Sequence, residues 1–534
     1  LKLPVLIKSS LVALSFYAGI FAASYDVKLE KIVGYKDWGA KWDTIFVVKN
    51  DLVTLAVLPK IGGRIMQYDL GNHPSIYVDE YAKDWVPDDG NSMIGGYRTL
   101  PSPQSDFGWP SPPAVDCKPY TCKVLTSNAD STVIYLESGI ENSNDQKYKT
   151  HQGLQFKRLI TMYKASSHVK VEETMLNKGN AAFTHGIWDI TQSDCTNNGD
   201  VDTKNFWVYF KKNPASTLGK GKGYVHYIDE SMGQGPDDTQ WRPDAAPGGI
   251  MGVQYLQSGD AKIGADCTAG WIAFVDRLDG YAYIKKFTYE KGKTYPDSGV
   301  TVQVYTYTSY NMIEVEVLGP LVTLQKNDST KMTEHWFSAR TNGPVLDVND
   351  AGLITSRLTA TQSSDSMTVK GTYGLFYSGK VKCVYVNSEN SEVATVDSFP
   401  VVPTDSLKLT KKYRVPGGAI KFRLDAYNAA GKRIGALDTV QVTPVSVTYK
   451  GNWANAAIRK SAVSFKNGAI HVQVTSPGNY SVKLFSIQGK LVHTLNGNTT
   501  SSGSVAIPVT GSNAWIAQVC GDGWVENSIL YTQK

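Results

Sequence analysis

The chain has 534 residues, 42% hydrophobic and 19% charged, with a formal net charge of +5. Such a composition is globular, and the length calls for about two to four domains. So small a charge, with no long Lys/Arg run, argues against nucleic acid as a partner.

At the N-terminus, Lys2 and Lys8 precede the apolar run LVALSFYAGIFAA (Leu11 to Ala23), with small Ala22 and Ser24 ahead of Tyr25. Residues 1–24 therefore have the form of a secretory signal peptide, and a secreted or cell-surface location is expected. No later segment approaches about 18 uninterrupted apolar residues, so no membrane span is expected in the mature chain. Six cysteines in an exported chain invite disulfides: Cys117 with Cys122 across CKPYTC, and Cys195 with Cys267. Cys383 and Cys520 fall in different expected domains, and without a C-x-x-C pair a zinc ribbon is not expected.

From Tyr25 onward the runs TIFVVKN, LVTLAVLP, RIMQYDL, STVIYLES, LQFKRLITMY, VKVEETML and VQVYTYTSY have strand composition, several with period-two alternation. Among them, GGYRTLPSPQSDFGWPSPP (95–113) carries five prolines, which exclude a central strand or a helix interior. It reads as a surface loop or as a stiff wall over a ligand. With no helical periodicity and no linker before about residue 340, one large all-β sandwich is expected over 25–340. A block at 345–443, with strands at regular spacing, predicts an immunoglobulin-like β-sandwich. SVTYKGNWANAAIRK then reads as a linker. The last block, 461–534, has SPGN and QGK turns between alternating runs and predicts a small C-terminal β-sandwich.

Several side chains in the first block suit work on a sugar. Glu314 and Glu316 are two apart on an expected strand, so both point to one face. Trp109 and Trp188 can stack on pyranose faces or belong to the core. Arg64, after two glycines, can hold a hydroxyl or pair with a carboxylate. His335 and Trp336 start a strand and are candidates for a rim. LDVNDAG (346–352) has spaced oxygens, but Leu358 stands where an EF-hand needs glutamate. There is no G-x-S-x-G, P-loop or H-E-x-x-H, and neither metal nor cofactor is expected.

In order, IGGRIMQYDL (61–70), the segment Leu154 to Gln192 and NMIEVEVLGPLVTLQKNDSTKMTEHWF (311–337) resemble the galactose-mutarotase-like superfamily over roughly residues 30–340. The resemblance implies a supersandwich whose His185 is the acid and whose Glu314 or Glu316 is the base, without metal. An ungapped match favours Glu314, and the V-E-V context favours Glu316. Gly95, Gly96, Pro103, Gln104, Phe107 and Gly108 resemble the sugar-site loop of hexose-phosphate epimerases, with two residues inserted after Gln104. Arg64, Arg98, Gln104, Trp109, Trp188 and Gln192 are then the expected ligand contacts. Those epimerases carry a second histidine just after the loop, whereas GWPSPPAVDC has none. A secreted branch with a Trp/Pro-rich loop and a W-D-I-T-Q strand is the nearer likeness, and it implies a carbohydrate ligand more directly than a reaction. The alternatives are a non-catalytic glycan-binding or adhesion protein, and a polysaccharide lyase or glycosidase on the same fold. The C-terminal pattern G-x-Y-x-V-x-L-F-x-x-x-G-K (Gly478 to Lys490), with a last short strand ending in lysine, resembles a type IX secretion sorting domain. That likeness implies bacterial secretion machinery as a partner.

Overall fold

A computed structural model describes residues 24–88, 93–197, 199–227, 240–442, 460–486, 490–509 and 514–531. Residues 1–23 of the signal-like segment, 446–459 of the expected linker and 488–489 of the QGK turn lie outside the described residues. The chain divides into two compact units, residues 1–446 and 447–534. The fold is all-β, as the strand composition requires. Among the described residues no helix is long and apolar enough to cross a membrane.

The first unit is built on two large antiparallel sheets, one of eleven strands and one of ten. Seven strands of the eleven-stranded sheet position the site. They are β1 (Arg64–Leu70), β2 (Tyr97–Ser102), β3 (Phe183–Asp194), β4 (Val225–Tyr227), β5 (Ala261–Ala265), β6 (Val302–Tyr307) and β7 (Met312–Leu318). Their spatial order is β1-β2-β3-β7-β6-β5-β4. Period-two alternation decides what each face carries. In β7, MIEVEVL, the apolar Ile313, Val315 and Val317 join the core between the sheets. Glu314 and Glu316 are therefore turned to the opposite, outer face. In β6, Val302 and Val304 join that core, which sends Gln303 and Tyr305 outward beside the glutamates.

The proline-rich stretch departs from expectation. Residues 97–102, Pro101 included, form β2, which pairs with β3 from Tyr97↔Thr191 to Ser102↔Gly186. β1 touches β2 only at Ile65↔Tyr97, so beyond Tyr97 that side of β2 is an edge. A missing proline N–H costs nothing where no strand waits to receive it. Only the part after Ser102 is a loop.

A further pair of four-stranded sheets, from Asp347 to Gln441, completes the first unit. It packs on the large sandwich through Phe337 and Phe376, stacked at 4.2 Å, and the Ser167 N–H donates to the Phe376 carbonyl at 2.9 Å. LDVNDAG is the hairpin turn that opens this pair; Asn349 Oδ1 accepts from the Ala351 and Gly352 amides. His335 and Trp336 are not on a rim. Trp336 is core, packed edge-on against Tyr97 and Tyr283, and His335 bonds His168 at 2.8 Å. The second unit holds a three-stranded and a four-stranded sheet around Ile470, Val472, Val482, Leu484 and Val519. All six cysteines are free, so neither expected disulfide is present.

Candidate functional site

The outer face of the eleven-stranded sheet carries a polar row set by register. Tyr227 opposes Lys262, Lys262 opposes Tyr305, Tyr305 opposes Glu314, and Glu314 opposes Gln192. Directly paired residues project to the same side, so these five point outward together. The next row holds Gly264, Gln303, Glu316, Ile190 and Arg98. A side chain at Gly264 would stand 2.7 Å from the Tyr227 hydroxyl, so glycine there leaves room for that ring.

The loop after β2 covers these rows and closes a cleft of about 330 Å³. Gln104 and Trp109 come from the loop, Trp188 from β3, and Lys262, Gln303 and Glu314 from the sheet. Asp297 joins them, with Gln303 Nε2 donating to its Oδ2 at 2.8 Å. Trp109 is 38% exposed, and its ring lies over the Arg98 guanidinium at 5.1 Å. That leaves an indole surface open to a ligand. Trp188 is buried at the floor; its Nε1 donates to Glu316 Oε2 at 2.6 Å, and Lys262 Nζ sits 4.7 Å above its ring.

The two glutamates are separated by depth. Glu314 lines the cleft and accepts from Gln192 Nε2 at 2.8 Å. Glu316 is fully buried behind Trp188 and Lys262, whose Nζ is 3.3 Å from its Oε2. Burial pushes Glu316 up to about 7, against the pull of Lys262 and with a further push from Glu314.

Two expected contacts stand behind the cleft. Arg64 is buried, donating to Asp116 Oδ1 at 2.9 Å and to the Gly95 carbonyl at 2.8 Å. Arg98 is buried too, 3.2 Å from Asp116 Oδ2 and 3.9 Å from Glu314 Oε1, so it braces Glu314 and carries Trp109. Asp116 thereby bridges both arginines, as burial of a cation demands. Gln192 is likewise buried and acts by holding Glu314.

His185 does not meet either glutamate. It shares strand parity with Asp189 and Thr191, which reach Lys285 and Tyr283 of the ten-stranded sheet. Trp188 and Gln192, of opposite parity, point to the outer face, where Trp188 lines the cleft. Glu316 pairs with Ile190, five residues beyond His185, or about 16 Å along the strand. The buried His185 ring donates from Nε2 to the Thr150 carbonyl at 3.0 Å. It stacks on His151 at 4.4 Å with the rings 7° from parallel, and its Nδ1 is 3.5 Å from Asp106 Oδ2. Burial lowers both imidazoles, His151 to about 3. The acid–base pair expected from the sequence is therefore not assembled: His185 lies on the wrong face and its N–H is committed.

Lys262, Gln303, Tyr227 and Asp297 escaped the sequence reading. Alternation in VQVYTY contained the signal for Gln303, because it places that residue and Tyr305 on one face of β6. Lys262 sits in the five-residue strand AKIGA, where a lone lysine carries no pattern.

No family model matches the sequence, and no curated protein matches it. Among solved structures the chain is similar to a galactose mutarotase-like protein from Clostridium acetobutylicum. They share 11% identity over 59% of this chain and 98% of that one, with a TM-score of 0.37. A galactose mutarotase-like protein from Lactobacillus casei shares 10% identity over 55% of this chain and 99% of that one, at a TM-score of 0.36. A galactose mutarotase related enzyme from Lactobacillus acidophilus shares 7% over 56% and 98%, at 0.34. Likeness of this extent fixes no activity, and the cleft is read from its own residues.

Proposed function

We propose that the first unit binds a carbohydrate in the cleft between the loop after β2 and the outer face of the eleven-stranded sheet. One observation carries the reading: a half-open tryptophan, Trp109, shares a single small cleft with Gln104, Lys262, Gln303 and Glu314. An aromatic plane facing a set of charge-bearing and amide donors and acceptors suits a sugar ring, which has an apolar C–H face and a hydroxyl edge. About 330 Å³ falls at the small end of ligand cavities, the size of a short saccharide segment. The signal-like residues 1–24 and the C-terminal pattern at Gly478 to Lys490 support export of this binding protein to the bacterial surface or medium.

A second reading, acid–base chemistry on the bound sugar as in aldose epimerisation, is favoured by Glu314 and Lys262 lining the same cleft. They stand two strands apart, about 10 Å at Cα, with Tyr305 between them. Two long side chains converging from that spacing can reach opposite edges of one ring, with Glu314 as base and Lys262 as proton donor.

A glycan array probed with the full chain tests the binding reading. The expected result is saccharide hits that weaken at least tenfold in Glu314→Gln; an array without hits refutes it. Polarimetry of the same aldoses then separates the readings, because accelerated mutarotation abolished by Glu314→Gln requires catalysis, and no acceleration leaves binding alone.

A further inference from the structure

Away from the sugar cleft, where the ends of the two large sheets meet, a second cavity of about 680 Å³ opens among polar side chains. His73 enters it from the turn after β1, its amide donating to the Leu70 carbonyl at 3.1 Å. Asp276 and Asp279 enter from the turn that closes the strand Trp271–Asp276 of the ten-stranded sheet. Asp276 Oδ1 is occupied by the amides of Leu278 and Asp279, at 2.8 and 3.2 Å. Its Oδ2 is thereby directed to His73 Nε2, at 2.8 Å. Asp279 Oδ2 is 4.0 Å from the same nitrogen, and the three donor atoms all lie within 4.8 Å of one another. Asp194 lines the same cavity.

We infer that His73, Asp276 and Asp279 form a binding site for a first-row divalent cation that joins the two sheets. Spacing, charge and rigidity each support it. Two ligands at about 2.1 Å from one ion lie about 3.0–3.4 Å apart in octahedral or tetrahedral geometry, and the separations of 2.8 and 4.0 Å from Nε2 bracket that range. Three carboxylates gather here around a single imidazole and one arginine, Arg340, whose guanidinium lies 4.2 Å over the Tyr281 ring, so an excess of negative charge remains for a cation to offset. The imidazole is held in place, stacked on Tyr281 at 4.0 Å with the rings 15° from parallel. A nitrogen donor beside carboxylates selects zinc- or manganese-type ions over calcium and magnesium, which take oxygen. Motif scanning misses the site because its ligands come from turns about 200 residues apart.

The test uses the chelator-stripped full chain titrated with Co²⁺, Zn²⁺ and Ca²⁺. The expected result is one equivalent of Co²⁺ giving visible d–d absorption, displaced by Zn²⁺, with a rise in the unfolding temperature because the ion binds the folded state. Asp279→Asn, at an exposed position, and His73→Ala should each weaken Co²⁺ binding at least tenfold. Cobalt bands equally strong in both variants would assign the metal to other groups, such as the free cysteines, and overturn the site. So would the absence of bands in wild type, or stabilisation by Ca²⁺ alone.

Discussion

At the scale of single residues, Glu316 makes the sharpest prediction. Its folded pKa of about 7 lies above the ordinary 4.5, so between those values the folded state holds a proton that the unfolded chain has released. Stability therefore falls as pH rises through that window, and the loss is complete above about 7. Other buried groups titrate nearby, so the measurement is the difference between wild type and Glu316→Gln in urea midpoint from pH 5 to pH 8. The variant should gain on wild type as pH rises; parallel profiles would show that Glu316 is not held protonated. Residue roles were partly legible in the sequence. Spacing alone placed Glu314 and Glu316 on one face, and the loop pattern pointed to Gln104 and Trp109. Depth behind that face was not legible, because the cover over Glu316 comes from Trp188 and Lys262 on two other strands. His185 failed for a related reason: a motif gives position along a strand, whereas its use depends on which sheet face the side chain takes. Of the two roles open to Arg64, the structure realises the carboxylate pair, and its partner was not readable because Asp116 is remote in sequence and belongs to a short helical turn.

At the scale of elements, the course of β2 decides where the cleft's wall begins. Proline content argued for a loop throughout 95–113, yet pairing to β3 overrides it up to Ser102, because Pro101 meets no second neighbour. Gly95 and Gly96 make the turn that delivers β2, both with positive φ (93° and 88°). A Cβ on Gly95 would lie 2.1 Å from the Tyr77 carbonyl oxygen, a collision with backbone that no rotamer relieves. Gly71 also has positive φ (60°) but open space around it. Gly95→Ala should therefore destabilise the first unit by more than about 1 kcal/mol, and by clearly more than Gly71→Ala. Thermal unfolding of the two variants checks this, and equal losses would show that φ alone matters. Alternation made the strands themselves readable, since β6 and β7 separate valine and isoleucine from polar partners residue by residue. Their neighbours were not readable, because β3 and β7 pair across 118 to 130 residues.

At the scale of the whole molecule, composition and strand spacing led to an all-β chain, and the sheets bear that out. What composition could not supply is the order in which distant strands line up, and the cleft exists only because β4, β5, β6, β7 and β3 stand side by side. Each brings one outward polar residue to the same row, and the loop after β2 sets Trp109 against it. In the proposed function, this surface is where a saccharide binds. Trp85, 46% exposed and absent from the cleft lining, provides an internal control for loss of an exposed indole. The direct measurement is calorimetric titration of the full chain, Trp109→Ala and Trp85→Ala with the strongest array saccharide. Trp109→Ala should lose affinity at least tenfold while Trp85→Ala keeps wild-type affinity; unchanged affinity in Trp109→Ala, or equal losses in both, would show that the saccharide does not bind in this cleft.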